Sequence, residues 1–483
     1  MKRILLALLA LVAIAINIFA MTGCDMFGGN GGSGNNSDFV LPDGTTYDGS
    51  EVTITFYHTM SATKLQPHLE NAIVEFNKLY PNIHIEHRQV GGYDDVTDQI
   101  QKEITGGNQP NIAYCYPDHV ATYNVAKKVV ALDSLINSTA VVNGADGYTE
   151  ILGLTAEQKA DFIKGYYDEG AVYDDKGTMY TLPLSKSTEI LYYNATFFEK
   201  EGLTVPTTWD EMEAVCKTIK ERYPNSIPLG YDSESNWFIT MCEQYGSGYT
   251  SLEEGNHFLF DNETNRAFVK RFNDWYQKGY VTTEELSGGY TSDLFTNTDP
   301  EATTCYMVIG SSGGASYQTP PTDDNGKNLF TTAITTVPQV DPSKPKVISQ
   351  GPSLCIFKDD NIQEVIASWL FVKYLTTNAA FQAQFSMASG YAPVIKSVQE
   401  NAVYKKWLET ANGVNNLQAL AVKVALAQEP AYYVSPAFSG SSEARKQVGI
   451  IMQDVLVATG DVDAVIDAKF KAAVDECKYK AGE

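Results

Sequence analysis

Two patterns in this 483-residue chain carry the residue types of catalytic machinery, and neither closes into a working set. Gly310-Ser311-Ser312-Gly313-Gly314 matches Gly-x-Ser-x-Gly and follows Thr303 to Ile309, which reads as a buried strand. A nucleophile elbow needs a helix directly after it and a triad histidine downstream. The next residues, Ala315 to Pro321, are a poor helix, and no histidine follows His257. The segment reads instead as a Gly/Ser loop offering backbone N–H groups to a ligand. The six histidines include no His-Glu-x-x-His, and His84 and His87 lie three apart on an extended run, which points them to opposite faces. Leaving Cys24 aside, Cys115, Cys216, Cys242, Cys305, Cys355 and Cys477 are widely spaced, with no Cys-x-x-Cys. They read as buried free thiols, and no metal centre is expected. P-loop and Rossmann glycine signatures are absent from the sequence, so no cofactor is expected. With 59 Asp and Glu, the two-carboxylate chemistry of a glycoside hydrolase stays open as the enzymatic alternative.

Rings and hydroxyls are abundant: 29 Tyr, 21 Phe and 5 Trp, many in stretches beside Gly, Ser or Pro. Tyr93 after Gly91-Gly92, Tyr231 and Trp237 around Asp232-Ser233-Glu234, Tyr391 after Ser389-Gly390, and Tyr432-Tyr433 are examples. A flat apolar face with a polar tip suits sugars, whose C–H faces stack while their hydroxyls bond. Trp237 follows a polar loop, and Trp is scarce, which makes it the expected stacking platform. A formal net charge of −24 argues against nucleic acid, where Lys and Arg carry the affinity.

The elements that must position these residues alternate. Val52 to Tyr57 is a strand, Lys64 to Tyr80 a helix with Leu65, Leu69, Ile73, Phe76 and Tyr80 on one face, and Ile83 to Val90 a second strand. Tyr93 to Thr105 is a helix and Asn111 to Tyr116 a third strand. Further on come extended runs at Tyr180 to Leu184 and Ile190 to Asn194, then a capping box, Thr208-Trp209-Asp210-Glu211, opening a helix to Tyr223. Ala267 to Lys278 is a helix and Ser353 to Phe357 a strand, and helices follow at Gln363 to Thr376, Ala379 to Met387, Arg445 to Ala458 and Val462 to Lys478. Strands separated by helices and glycine turns predict α/β lobes with mostly parallel sheets flanked by helices, and the length allows two or three domains.

At the N-terminus, Met1-Lys2-Arg3 precedes an apolar run from Ile4 to Ala20, then Met21-Thr22-Gly23-Cys24 and a Gly/Asn/Ser tract. A small residue directly before Cys at the end of such a run resembles the lipobox of bacterial lipoproteins, with Met21 where that pattern prefers Leu. The resemblance implies a signal peptide over 1–23, lipid on Cys24 and a tether over 24–49.

Val52 to Met60 (VTITFYHTM), Glu75-Phe76-Asn77 with Pro81 after it, Gly106 to Asn111, Leu191-Tyr192-Tyr193-Asn194, Val205 to Glu211 and Ser389-Gly390-Tyr391-Ala392-Pro393 follow one another in a known order. The chain resembles the extracellular solute-binding proteins of carbohydrate-uptake ABC importers, most of all the glycerol-phosphate-binding branch. The resemblance implies the periplasmic-binding-protein fold, a two-lobed clamp closing on a small ligand, with no catalysis. Lobe one is expected over 50–183 plus 352–400 and lobe two over 184–351 plus 401–478, with hinge crossovers near Leu182-Pro183-Leu184 and Gly351-Pro352. Carried over by motif, the ligand residues are Tyr93, Ser187, Ser311 or Ser312, Gly351 and Tyr391. The branch's acid falls on Pro117, with Asp118 adjacent, and its arginine falls on Ser441. Without that arginine a neutral saccharide is the expected ligand, and Arg445 reads as a solvated helix residue. The partners implied are the saccharide, the importer's permease and the membrane through Cys24. A monomer outside the cytoplasmic membrane is expected. A surface lipoprotein of purely structural role is the remaining alternative.

Overall fold

Alternating apolar residues build the first sheet. In Val52–His58 one face of the pleat (Val52, Ile54, Phe56, His58) is buried. This strand pairs in parallel with Ile83–Gln89 on one side and Ile112–Cys115 on the other. The computed structural model describes residues 39–299 and 302–483. The sheet is completed by Ser353–Ile356, antiparallel to Ile112–Cys115, and by the short edge strand Leu182–Pro183. Helices Gln66–Leu79, Tyr93–Ile104 and Ile362–Thr377 cover it, burying Leu69, Phe76, Val96, Ile100, Trp369 and Phe371.

The second sheet is built around Ser187–Asn194, whose first six residues are all buried. Its strands run in the order Tyr432–Tyr433, Val347–Gln350, Ser187–Asn194, Met307–Ser311, Leu229–Tyr231, Val281–Thr283, and Thr332–Thr335 also pairs with Ser187–Asn194. Its core is strongly aromatic, with Trp209, Trp237, Trp275, Phe268, Phe272 and Phe470 packed together. The capping box at Thr208 forms as the sequence predicts: Glu211 N–H donates to Thr208 Oγ1 at 3.2 Å, and Thr208 N–H donates to Glu211 Oε2 at 3.2 Å.

Both sheets are mixed rather than mostly parallel. In each, the strands arriving from the other sheet run against their neighbours. The chain leaves the first sheet at Pro183 and enters the second at Ser187, then leaves the second at Gln350 and re-enters the first at Ser353. The two crossovers touch. Gly351 has φ +104°, and a Cβ there would lie 2.5 Å from Ser185 O and 2.8 Å from Lys186 Cα, so only glycine fits.

Two expectations about organisation need correction, and one helix was not foreseen. Residues 39–49 are packed rather than a free tether: Leu41 and Tyr47 are buried in the first core, and Leu41 N–H donates to Ser134 Oγ. Helix Ala402–Glu409 belongs with the first sheet, not the second, because Tyr404 is fully buried in that core and its hydroxyl bonds Ser386 Oγ at 3.0 Å. The polar stretch before Trp237 is the start of an unforeseen helix, Glu234–Tyr245, capped by Ser233 accepting from Asn236 N–H. The expected signal segment and Cys24 lie outside the described residues. The other six cysteines are buried and free. Among the described residues, no helix is long and apolar enough to cross a membrane.

Candidate functional site

The strand Ile112–Cys115 ends in Tyr116, the cap of helix Pro117–Asn124, and this places Asp118 in the first turn of that helix. A carboxylate is favoured there by the unpaired N–H groups of the helix start. Opposite, in the other lobe, helix Ser441–Leu456 starts after Gly440, one turn earlier than the sequence pattern suggests. The earlier start sets Arg445 one turn inside the helix rather than at its first position. From there it reaches across the cleft: Arg445 Nε donates to Asp118 Oδ2 at 3.0 Å, and Arg445 Nη1 donates to Asn236 Oδ1 at 3.1 Å. The solvated reading of Arg445 is therefore wrong. Burial works to raise the Asp118 pKa, but the Arg445 charge, helped by His119, outweighs it and holds the carboxyl below its usual range. Burial likewise works to lower Arg445, and Asp118 more than offsets it.

Around this pair lies a narrow cavity between the lobes, with about 30 Å³ of free space. That is room for two or three water molecules, at roughly 10–15 Å³ each, and not for a sugar ring. The lobes thus stand closed on it. Lobe one contributes Tyr116, Asp118 and Glu169, and lobe two contributes Tyr249, Ser349, Gln350, Ser435, Ser441 and Arg445. Three atoms of these residues, Glu169 Oε2, Ser349 Oγ and Ser435 Oγ, are buried with no hydrogen-bond partner among the described residues. Buried polar atoms left unpaired are rare and costly, so three around one cavity mark a surface built to bond something.

Behind the arginine, Asn236 Oδ1 also accepts from Gln350 Nε2 at 3.0 Å. Glu189 accepts from Tyr231 Oη at 2.6 Å, yet burial pushes its pKa up to about 7.

A second cluster lies alongside. The Tyr93 and Tyr116 rings stack at 4.4 Å, and Tyr114 stacks on Tyr93 at 6.4 Å. Tyr391 reaches across to lobe two, where a Cβ on Gly313 would fall 2.5 Å from its ring. Lys64 of lobe one sits over the Tyr317 ring of lobe two at 4.9 Å.

The residues expected from sequence divide accordingly. Asp118 and Ser441 line the cavity, though the Ser441 hydroxyl is turned to its own turn, donating to Phe438 O at 2.8 Å. Tyr93 and Tyr391 belong to the neighbouring tyrosine cluster. Ser312 is fully buried and accepts from Thr188 N–H at 3.2 Å, which gives it a role in holding the sheet. The expected Gly/Ser loop is not a loop: Gly310 and Ser311 end the strand Met307–Ser311, and Ser312–Gln318 is a short helix, with Ser311 Oγ accepting from Gly313 N–H at 3.2 Å. Ser187 is buried opposite Gln350 in the sheet, and the Gly351 carbonyl accepts from Lys186 Nζ at 3.1 Å. Trp237 is not a platform. It is 0 % exposed in the second core, stacked on Tyr231 at 4.8 Å and against Phe272 at 4.2 Å, because the helix turns it inward.

Sequence reasoning missed Glu169, Tyr249, Ser349, Gln350 and Ser435. None lies in a recognisable pattern. Arg445 left one trace, a cation just inside a helix that opens with Ser441-Ser442.

A family model described as bacterial extracellular solute-binding protein matches residues 71–412. The sn-glycerol-3-phosphate-binding periplasmic protein UgpB of Rhizobium meliloti (strain 1021) is 28% identical over 258 residues, 50% of this chain and 55% of that protein. The chain thus spans about half the length of that relative. A cyclic alpha-maltosyl-1,6-maltose binding protein from Arthrobacter globiformis superposes with TM-score 0.66 at 17% identity, over 89% of this chain and 100% of that one. UgpB from Mycobacterium tuberculosis, solved in complex with glycerophosphocholine, gives 0.68 at 17%, over 88% and 99%. At such identities the structural likeness speaks to the fold.

Proposed function

Because the chain belongs to the bacterial extracellular solute-binding protein family, we propose that it captures a small neutral saccharide between its two lobes and delivers it to an ABC-importer permease. The observation that carries the ligand class is the cavity lining. Its charges compensate, Asp118 against Arg445, and Glu169 against Lys186 behind it. The groups left to bond are one carboxylate oxygen and two hydroxyls. That set suits a polyhydroxylated neutral molecule. In this reading the crossovers at 184–186 and 351–352 are the hinges, and ligand shifts the population towards the closed state. The protein acts as a monomer without catalysis, and Cys24 carries the lipid that holds it at the outer face of the membrane.

A glycerophosphate ligand is the second reading, favoured by Arg445 at the cavity and by the named relatives. It is the weaker one. Arg445 is already bonded to Asp118 and Asn236, and a phosphate dianion would face two carboxylates, which costs more than a planar guanidinium contact returns. Calorimetry with glucose, maltose, maltotriose, glycerol 3-phosphate and glycerophosphocholine separates the readings. Binding of a neutral sugar alone supports the first, and binding of a phosphate ester alone overturns it. A thermal-shift screen gives the same ranking, since ligand at ~100 times Kd adds about 2.7 kcal/mol to stability.

A further inference from the structure

We propose that Glu169 is the acceptor for a ligand hydroxyl, and that Lys186 ties this contact to both chain crossovers. The inference rests on the saccharide reading and deepens it by naming the group that reads the sugar. Glu169, in the turn Glu169–Ala171, is 3 % exposed and Lys186 is 0 % exposed. Charges this deep are tolerated only when paired and saturated with hydrogen bonds. Lys186 is saturated: its ammonium donates to Glu169 Oε1, to Gly351 O at 3.1 Å and to Ser353 Oγ at 3.0 Å. Lys186 itself stands in the first crossover, and two of its acceptors are in or next to the second.

Glu169 is only half satisfied. Its Oε2 is buried, has no partner among the described residues, and belongs to a side chain lining the cavity. The other lining carboxylate is fully engaged, Asp118 Oδ2 with Arg445 and Oδ1 with His119 N–H. Glu169 Oε2 is thus the carboxylate oxygen left for a ligand. An ionised carboxylate only accepts, so the ligand must bring an O–H or N–H to it. Sugars do, through any of several hydroxyls, whereas a glycerophosphate has only its glycerol hydroxyls to offer beside an acceptor-only phosphate. Lys186 holds the other oxygen against both crossovers, so the ligand contact and the crossover geometry form one network. Parting the lobes bends the segments to which that network is anchored.

Glu169→Gln tests this cleanly. Lys186 requires an acceptor, which fixes the amide oxygen on its side and turns the NH2 towards the ligand, so a hydroxyl that donated to the carboxylate must turn round to accept and loses the charge-assisted bond. Binding is measured by calorimetry with glucose, maltose and maltotriose, followed by a monodeoxy series of the tightest binder. E169Q should weaken the sugar at least tenfold. One monodeoxy analogue should lose a similar factor against the unmodified protein and nothing further against E169Q. If E169Q does not fold, Glu169→Leu with Lys186→Met replaces the pair by apolar groups of similar size and should give the same pattern. Parental affinity in the folded variant, or equal losses for every analogue against both proteins, overturns the role of Glu169. Failure of the unmodified chain to bind any of the sugars sinks the saccharide reading itself, and does so before a variant is made.

Discussion

His58 should make the first lobe acid-sensitive by a predictable amount. It ends the strand Val52–His58 with 0 % exposure, between Phe56, Tyr114 and His87. Met60 N–H donates to its Nδ1 at 3.1 Å, which leaves Nε2 as donor to His87 Nδ1 at 3.0 Å. Those bonds require the neutral ring, since a second proton would oppose the Met60 N–H. Burial, reinforced by His87, pulls the His58 pKa down to about 3. The sign follows: below an unfolded pKa of about 6.5 the unfolded chain takes up a proton that the folded chain refuses. Stability is then full above pH 6.5 and falls as pH drops towards 3. At pH 5 the loss is RT ln(1 + 10^1.5), or about 2 kcal/mol, and it hardly depends on the folded pKa because His58 is still neutral there. The assay is urea unfolding of the parent and of His58→Gln at pH 8, 7, 6 and 5, following the transition of the first lobe. Gln carries no titrating proton, so the stability gap between the two proteins should shrink by about 2 kcal/mol from pH 8 to pH 5. A gap constant to within about 0.5 kcal/mol would show that His58 is not held neutral, and would refute the reasoning.

Trp237→Ala should lower the stability of the second lobe by about 3–5 kcal/mol through the cavity left against Tyr231 and Phe272, with little change in ligand affinity while the protein is folded. Chemical denaturation and calorimetry on one preparation check both halves. Arg445→Gln removes the cross-lobe ion pair. Allowing for partial exposure, about 1–2 kcal/mol of closed-state preference should vanish, a shift of roughly 5–30-fold towards the open form, visible as a larger radius of gyration in X-ray scattering without ligand. Gly351→Ala should be strongly destabilising, since Cβ would meet the Ser185 carbonyl at 2.5 Å in a left-handed backbone. A melting temperature within about 2 °C of the parent would contradict it.

The first sheet was legible because its first strand, Val52–His58, alternates cleanly, its inner strands Ile112–Cys115 and Ser353–Ile356 are short apolar runs, and Gln66–Leu79 carries a period-3.6 apolar face. The second sheet was much less so. Leu229–Tyr231, Val281–Thr283 and Val347–Gln350 are three or four residues long, too short to show a period. In the cavity the difficulty is different. Glu169, Ser349 and Ser435 come from three distant segments, and their common feature, an unpaired buried atom, exists only in three dimensions. Trp237 misled because scarcity in sequence carries no direction. Ser233 as a helix cap, two residues past Tyr231, was the signal that would have turned the ring inward. Arg445 misled for the complementary reason: one turn of helix, from Ser441, separates a solvent face from the cleft.

The exchange of strands between the sheets also sets an order of assembly. During synthesis, Ile112–Cys115 emerges with one edge unpaired, and its partner Ser353 follows Cys115 by 238 residues. At roughly 5–20 residues per second that is a wait of some tens of seconds. Throughout it the nascent first lobe shows an open row of backbone donors and acceptors, flanked by fully buried side chains that have no cover yet. The second sheet cannot shield it, because Val347–Gln350 also waits for Tyr432–Tyr433 and for the helix Ser441–Leu456 that packs behind Trp237. Both lobes therefore complete late and nearly together. A chain truncated before residue 353 would leave two unfinished sheets rather than one finished lobe, and chaperone binding should concentrate on the strand that waits longest.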